Sequence, residues 1–208
     1  SETNGFNLAK VTAKGGRNVY DAGNQAVRSG GAGTVYLKDK EESMGRLVID
    51  NSGITSTGPT TELLSGIPEP VTVIGAHVVF LGHPVSLPTN LTLQSSSTLT
   101  TTGAVSGVNL TMSGGTWNQN GTSTVANLSL SNVVWYQNAP VTVTEGWNDG
   151  PGISWYQGAP FSLPAGSNLL VKGFTLYAKG AQTWDTIVVT NGGKITVTAP
   201  AAGQTNRL

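Results

Sequence analysis

Carboxylates are the first residues to consider for catalysis in this 208-residue chain, and they are unevenly distributed. No Asp, Glu, Lys or Arg occurs between Val71 and Thr144. Acid–base hydrolysis of a glycan needs two carboxyl groups roughly 5 to 9 Å apart, which this central part cannot provide. Glu145, Asp149 and Asp185 follow it but belong to different repeats, and they could meet only beside a predicted loop over 145–152. We therefore predict no catalytic residues. An enzyme that acts on polysaccharides, a lyase or a hydrolase, is only the second alternative to a non-catalytic module.

Histidines and cysteines give no pattern of metal ligands. The chain has no Cys and two histidines, His77 and His83, which flank an apolar segment without an acidic neighbour. Zinc takes His, Cys or carboxylate ligands that converge on one point, and calcium takes several oxygen ligands, usually with more than one carboxylate. We predict no metal site and no cofactor.

The charge balance bears on the kind of partner. Eleven acidic and eleven basic residues give no net charge, whereas nucleic-acid binding needs a basic face. No apolar run is long enough to cross a membrane as a helix. We expect no nucleic-acid partner and no membrane insertion.

Aromatic residues beside amides are the strongest candidates for a binding site. Flat aromatic rings stack on the C–H face of a sugar, and amides donate to its hydroxyls. The candidate carbohydrate-binding residues are Tyr136, Tyr156, Tyr177, Asn118 and Trp147. Stacked aromatic side chains also hold neighbouring strands together without any ligand. Both interpretations stay open from the sequence.

An internal repeat determines where these residues lie. Asn90-Leu91-Thr92-Leu93 recurs in similar form from Asn109, Asn127 and Asn168, and the segment Trp135–Val143 recurs as Trp155–Leu163. Each period contains three short segments of alternating polarity separated by Gly, Asn or Pro, which is typical of strands and turns. Stacked coils give each strand a neighbour above and below. The pattern predicts a right-handed parallel β-helix, or β-solenoid, with 18–21 residues and three short strands per coil.

The alternation within each segment predicts which side chains face the core. Leu91 and Leu93 face inward and Thr92 outward, because successive strand residues point to opposite faces. The same rule places Trp135 and Trp155 inside and the tyrosines that follow them outside. The predicted outward hydroxyl column contains Thr92, Thr111 and Ser129. Such a column resembles an ice-binding surface, but it breaks at Leu170.

The N-terminal third differs from the repeats. Residues 1–70 are Gly-rich and hold most of the charges, so we expect irregular first coils with a cap. The strands predicted over 34–38 and 46–50 form a hairpin around a charged turn. Residues 26–29 form the one weakly helical segment. Regular coils are expected over 71–198 and a linker or tail over 199–208, all in one continuous domain.

Two resemblances bear on location and structure. The segments Val11–Gly16, Gly30–Leu37 and Leu47–Asn51 resemble Gly-rich β-helix segments of large secreted bacterial surface proteins of adhesin-like type. This implies a secreted or cell-surface location and membership of a larger polypeptide. The recurring Asn resembles the asparagine ladder of right-handed β-helices such as pectate lyases and tailspikes. The residues that match this structural ladder are Asn90, Asn109, Asn127 and Asn168.

The sequence therefore predicts a non-catalytic structural or adhesive module. A carbohydrate-binding module that uses an outward aromatic ladder is the first alternative. In either case the expected partner is a polysaccharide or a cell-surface glycan.

Overall fold

The structure is a computed structural model that describes residues 10–16, 30–38, 40–51, 60–63, 69–80, 85–86, 90–94, 96–179 and 187–198. The described part has no α-helix and forms a parallel β-solenoid of about six turns, which confirms the predicted fold class. Its strands are β1 Val35–Leu37, β2 Arg46–Asp50, β3 Thr61–Glu62, β4 Val71–Ile74, β5 His77–Phe80, β6 Val85–Ser86, β7 Asn90–Gln94, β8 Thr98–Thr101, β9 Val105–Gln119, β10 Ser123–Gln137, β11 Val141–Asp149, β12 Ser154–Gln157, β13 Phe161–Ser162, β14 Leu169–Lys172, β15 Thr175–Lys179, β16 Ile187–Thr190 and β17 Lys194–Thr198.

The coils have three faces. The first face is built from β2, β4, β7 and the segments of β9, β10 and β11 that align with them. The second contains β3, β5, β8, the last parts of β9 and β10, and then β12, β15 and β17. The third contains β6, the first parts of β9, β10 and β11, and β13. All of these neighbours pair in parallel, so equivalent side chains form columns along the solenoid.

The middle coils are more continuous than the sequence suggests. β9 and β10 are each 15 residues long and run from the third face through the first to the second. Between these faces the backbone turns at residues with positive φ, including Gly114 and Gly115 in β9 and Asn132 in β10. A Cβ on Gly115 would overlap the carbonyl oxygen of Ser97 in the coil below. Glycine is therefore required there both for its backbone angle and for the close approach of two coils.

The predicted hairpin lies at the N-terminal end of the described sheet. β1 pairs antiparallel with β2, and the other edge of β2 pairs in parallel with β4. The buried side chain of Asn51 accepts a hydrogen bond from the Gly15 amide at 2.8 Å and donates to the Gly30 carbonyl at 3.4 Å. One amide side chain thus holds three backbone segments together at this end.

Columns of inward side chains form the core. Trp117, Trp135 and Trp155 are essentially inaccessible, as predicted, and their rings stack at centroid distances of 4.9 and 4.6 Å. Leu99 lies below this stack and Leu176 above it, in the same register. Offset aromatic pairs add about 0.5–1.5 kcal/mol each to the area they bury, so these rings stabilise the middle coils.

Some predicted features lie outside the described residues. They are the weakly helical segment 26–29, His83, Asp185 and the tail 199–208.

Candidate functional site: the outer tyrosine column

Three tyrosines form one column on the second face, and we call Tyr136, Tyr156 and Tyr177 the tyrosine column. They lie in β10, β12 and β15 and pair in exact register across the parallel strands. Each tyrosine directly follows a residue that faces the core. These inward residues are Trp135, Trp155 and Leu176. The alternation rule placed these side chains correctly. Their role in ligand binding is a separate prediction.

The rings of the tyrosine column stack on one another. The centroids of Tyr136 and Tyr156 are 4.9 Å apart and those of Tyr156 and Tyr177 are 4.7 Å apart, with interplanar angles of 12° and 5°. Tyr136 and Tyr156 keep 40% and 39% of their surface exposed. Because the central ring is covered on both faces, its exposed surface consists of ring edges and the hydroxyl group. The column therefore offers hydroxyls and edges to a partner, and its faces hold coils together.

Asn118, a candidate binding residue, continues the column below Tyr136. It is in register with Tyr136 and donates its side-chain amide to the hydroxyl of Thr100 at 3.4 Å. Thr196 is in register above Tyr177. The column from Thr100 to Thr196 thus carries hydroxyl, amide and phenol groups and no charge.

The predicted loop over 145–152 is wrong, and the candidate binding residue Trp147 does not lie beside this column. Trp147 lies in β11, in a strand that continues to Asp149, and not in a loop over 145–152. Its ring contacts the inward rings of Trp135, Trp155 and Phe161 at centroid distances of 6.5, 6.0 and 5.4 Å. Trp147 is therefore part of the core packing and faces away from the tyrosines.

Asparagine side chains form a ladder on the first face. Asn109 donates its side-chain amide to Asn90 at 3.1 Å, and Asn127 donates to Asn109 at 2.9 Å. Asn127 also donates to the carboxylate of Glu145 at 2.9 Å. Three of the four predicted residues thus form a hydrogen-bonded row across successive coils.

The ladder does not extend to Asn168 within the part of the chain described. The residue in register above Asn127 is Gly146, where a Cβ would lie 2.6 Å from the Asn127 side-chain oxygen. Asn168 precedes β14, which pairs with β16 in a separate two-stranded sheet. Among the described residues no hydrogen bond joins Asn168 to the ladder, and Glu145 takes the fourth place.

A buried row of glutamines was missed by the sequence analysis. Gln119, Gln137 and Gln157 have almost no exposed surface and are in register in β9, β10 and β12. The amide of Gln137 donates to the carbonyls of Ala159 and Pro160 in the coil above, at 3.0 and 2.8 Å. Each Gln stands two residues after an inward Trp. Alternation alone would have indicated that it faces the core.

The hydroxyl column of the first face also forms as predicted. Thr92, Thr111 and Ser129 are aligned across β7, β9 and β10. Thr72 precedes them in register and Asn148 follows, with the Asn148 amide donating to the Ser129 hydroxyl at 3.3 Å.

The two carboxylates of β11 have hydrogen-bond partners within the protein. Asp149 accepts a hydrogen bond from the backbone N–H of Lys172 at 3.2 Å, while Glu145 is bonded to Asn127. Burial raises the pKa of Asp149 above its ordinary value, and hydrogen bonds to backbone N–H groups and the nearby Lys172 charge oppose that rise. The two carboxylates therefore have different partners in different coils.

Metal ligands do not converge in the described part of the chain. No group of three or more His, Cys, Asp or Glu side chains that could hold a metal ion occurs among those residues. His77 begins β5 in register with Thr98. Among the same residues there is no helix with the length and apolar character to span a membrane.

The fold and its columns define the chain as a parallel β-solenoid with ordered side-chain ladders on its inner and outer surfaces. Comparisons with protein-family models, with curated proteins and with solved structures each found no match to this chain.

Proposed function

We propose that this chain is a non-catalytic structural and adhesive module of a secreted or cell-surface bacterial protein. The observation that carries the proposal is the use of polar and aromatic side chains to connect one coil with the next. Outside, the tyrosine column and the Asn ladder join successive coils, and inside, Gln137 does the same. Groups that an enzyme would direct at a substrate are here directed along the solenoid.

The positions of the carboxylates favour this proposal over a polysaccharide-active enzyme. Glu145 and Asp149 lie four residues apart on one extended strand, which separates their backbones by about 13 Å. A retaining or inverting glycosidase needs its carboxyl groups roughly 5 to 9 Å apart. Both carboxylates also have hydrogen-bond partners within the protein.

The tyrosine column supports the adhesive part of the proposal and the alternative of carbohydrate binding. The rings of the tyrosine column recur every 4.7–4.9 Å beside the amide of Asn118, and those of Tyr136 and Tyr156 are exposed. Phenol hydroxyls both donate and accept hydrogen bonds, as sugar hydroxyls do. A neutral polysaccharide that contacted this face would bind mainly through these hydroxyls and ring edges, because the ring faces between neighbouring tyrosines are already covered.

The test measures adhesion and catalysis with the same protein. Microspheres coated with the full chain are drawn across surfaces that carry neutral polysaccharides or bacterial and host glycans, and the force that detaches them is recorded. We expect retention above that of albumin-coated spheres, and no release of reducing sugars or unsaturated products from the polysaccharides in solution.

Two double variants locate the adhesive surface. Tyr136→Ala with Tyr156→Ala removes the tyrosine column, while Thr92→Ala with Thr111→Ala alters an outward column on the first face and serves as the matched control. Loss of adhesion in the tyrosine variant alone would favour glycan binding on the second face. Product release from any polysaccharide would refute a non-catalytic role, and detachment at the albumin level from every surface would refute adhesion.

A further inference from the structure

The tyrosine column combines close ring stacking with access from solvent. Neighbouring rings lie 4.9 and 4.7 Å apart and are nearly parallel. Tyr136 and Tyr156 are exposed, and Tyr177 is partly exposed. The stack formed by Trp117, Trp135 and Trp155 has similar spacing but is buried. A reagent in solution can therefore reach the stacked phenols and not the stacked indoles.

The hydroxyl groups of the column are not used to hold the fold together. Among the residues that the structure describes, none forms a hydrogen bond with the hydroxyl of Tyr136, Tyr156 or Tyr177. Tyr36 in β1 differs, because its hydroxyl donates to the carboxylate of Glu69 at 3.2 Å. Tyr36 is also exposed, but no described aromatic ring stacks on it. The three phenols of the column are thus both accessible and free to react with one another.

Stacked phenols are well placed for radical coupling. One-electron oxidation converts a phenol into a phenoxyl radical, whose unpaired electron is shared between the oxygen and ring carbons that include Cε1 and Cε2. Two such radicals couple by forming a bond between Cε atoms. Free phenols must first meet by diffusion, whereas the parallel strands hold these rings one above the other, which gives a high effective concentration. Because the rings lie at the surface, they can tilt toward each other without displacing the strands.

We propose that the tyrosine column is a site of oxidative cross-linking, in which Tyr156 becomes joined to Tyr136 or to Tyr177. The oxidant is hydrogen peroxide used by a haem peroxidase. Peroxide takes one electron and the hydroxyl proton from each of two tyrosines and is reduced to two molecules of water. The two radicals form a Cε–Cε bond, each joined carbon then releases its hydrogen as a proton, and each phenolic oxygen takes up a proton. Both phenol groups are restored, and one peroxide is consumed for each cross-link.

Such a cross-link stabilises the solenoid in a way that its sequence otherwise lacks. The chain has no Cys and so forms no internal disulfide. A bond from Tyr156 to Tyr136 or to Tyr177 closes a loop of one coil. Closing a loop lowers the conformational entropy of the unfolded chain, as a disulfide does. We expect the cross-linked protein to melt about 5–10 °C above the untreated protein.

Treatment of the full chain with a haem peroxidase and hydrogen peroxide tests the proposal. We expect dityrosine fluorescence in the monomer and a mass lower by two hydrogen atoms. The yield per chain should stay constant when the protein is diluted about tenfold, because the reaction is intramolecular. Mass spectrometry of proteolytic peptides should find Tyr156 in the link. A parallel reaction with free tyrosine shows that the oxidant is active.

Phenylalanine variants identify the reacting pair, because each keeps a ring in the stack and removes only the phenol. Tyr156→Phe removes the residue that both pairs share and should lower the intramolecular yield about tenfold. Tyr136→Phe and Tyr177→Phe each leave one pair and should retain about half of the yield. Tyr36→Phe is the matched control, since it removes an exposed phenol outside the column and should leave the yield unchanged.

Several outcomes would overturn the inference. A monomer without dityrosine, under conditions that couple free tyrosine, would show that the stacked phenols do not react. An undiminished yield in Tyr156→Phe would place the link elsewhere, and linked dimers as the sole product would show that coupling occurs between chains. An unchanged melting temperature after cross-linking would refute the stabilising role. Adhesion is measured on untreated protein, so failure of that test and failure of this one are distinguishable.

Discussion

The indole N–H of Trp155 donates to the side-chain oxygen of Gln137, 2.9 Å away in the coil below. The same Gln137 side chain donates through its nitrogen to carbonyls of the turn above, at Ala159 and Pro160. One buried amide therefore connects the aromatic core to the turn between the second and third faces.

Replacing Gln137 by Leu should strongly destabilise the protein. The substitution leaves the buried indole N–H of Trp155 without its partner, which costs about 1–3 kcal/mol. It also removes one hydrogen bond from each of the carbonyls of Ala159 and Pro160, which keep Gln157 and Val141 as donors. We expect a loss of about 2–4 kcal/mol in the free energy of unfolding, measured by urea denaturation with tryptophan fluorescence. Asn138→Ala, at the next and exposed position, should lose much less. Equal losses of unfolding free energy in both variants would show that the buried hydrogen bonds of Gln137 do not stabilise the fold.

Alanine variants of Trp135 and Tyr156 compare how much the buried and the exposed ring stacks contribute to the free energy of unfolding. Each is the middle ring of a stack of three, but Trp135 is fully buried and Tyr156 is 39% exposed. Trp135→Ala creates a cavity and should cost about 3–5 kcal/mol. Tyr156→Ala loses two ring contacts and should cost about 1–2 kcal/mol. Chemical denaturation of both variants gives the comparison, and a Tyr156 loss as large as that of Trp135 would contradict it.

The repeat and strand alternation were sufficient to predict the solenoid and the positions of its aromatic residues. A tryptophan directly followed by a tyrosine in two successive coils must place one residue inside and the other outside, and stacking in register then makes two columns. These features depend on local periodicity, which the sequence displays directly.

The positions of Trp147 and Asn168 needed information that the repeat does not contain. Gly, Asn and Pro near Trp147 are typical of a loop, but β11 continues through Gly146. The register shifts between Val143 and Gly146, and Trp147 then pairs with the buried Leu128 and faces inward. The interval of 41 residues between Asn127 and Asn168 spans two coils. Gly146 holds the intermediate position. Which residue fills that place depends on the contacts between coils and not on the spacing.

The asparagine ladder can be tested with a matched pair of alanine variants. Asn127→Ala removes hydrogen bonds to Asn109 and Glu145, and because both hydrogen bonds lie at the exposed surface the loss should be about 1 kcal/mol. Asn168→Ala should change stability by less than about 0.5 kcal/mol, as is usual for an exposed residue without such contacts. Thermal and urea unfolding of both variants measures the difference. A larger effect at Asn168 would mean that it belongs to the ladder after all.

Asp149 predicts a dependence of stability on pH. Its pKa is raised in the folded state, chiefly by burial, so the folded protein binds this proton more tightly than the unfolded chain does. Stability from this group is therefore present at low pH and is lost as pH rises from the ordinary value of 3.8 through the folded pKa.

Asp149→Asn removes the charge and keeps an oxygen that can accept from the Lys172 N–H. The variant should be more stable than the native protein at neutral pH, and the difference should shrink as pH falls toward the lower end of that window. Asp149→Ala separates charge from hydrogen bonding, because it removes the acceptor as well and should be less stable than Asp149→Asn at every pH. Melting temperatures of the three proteins across this pH range decide the matter, and a native protein that gains stability relative to Asp149→Asn as pH rises would reverse the predicted sign.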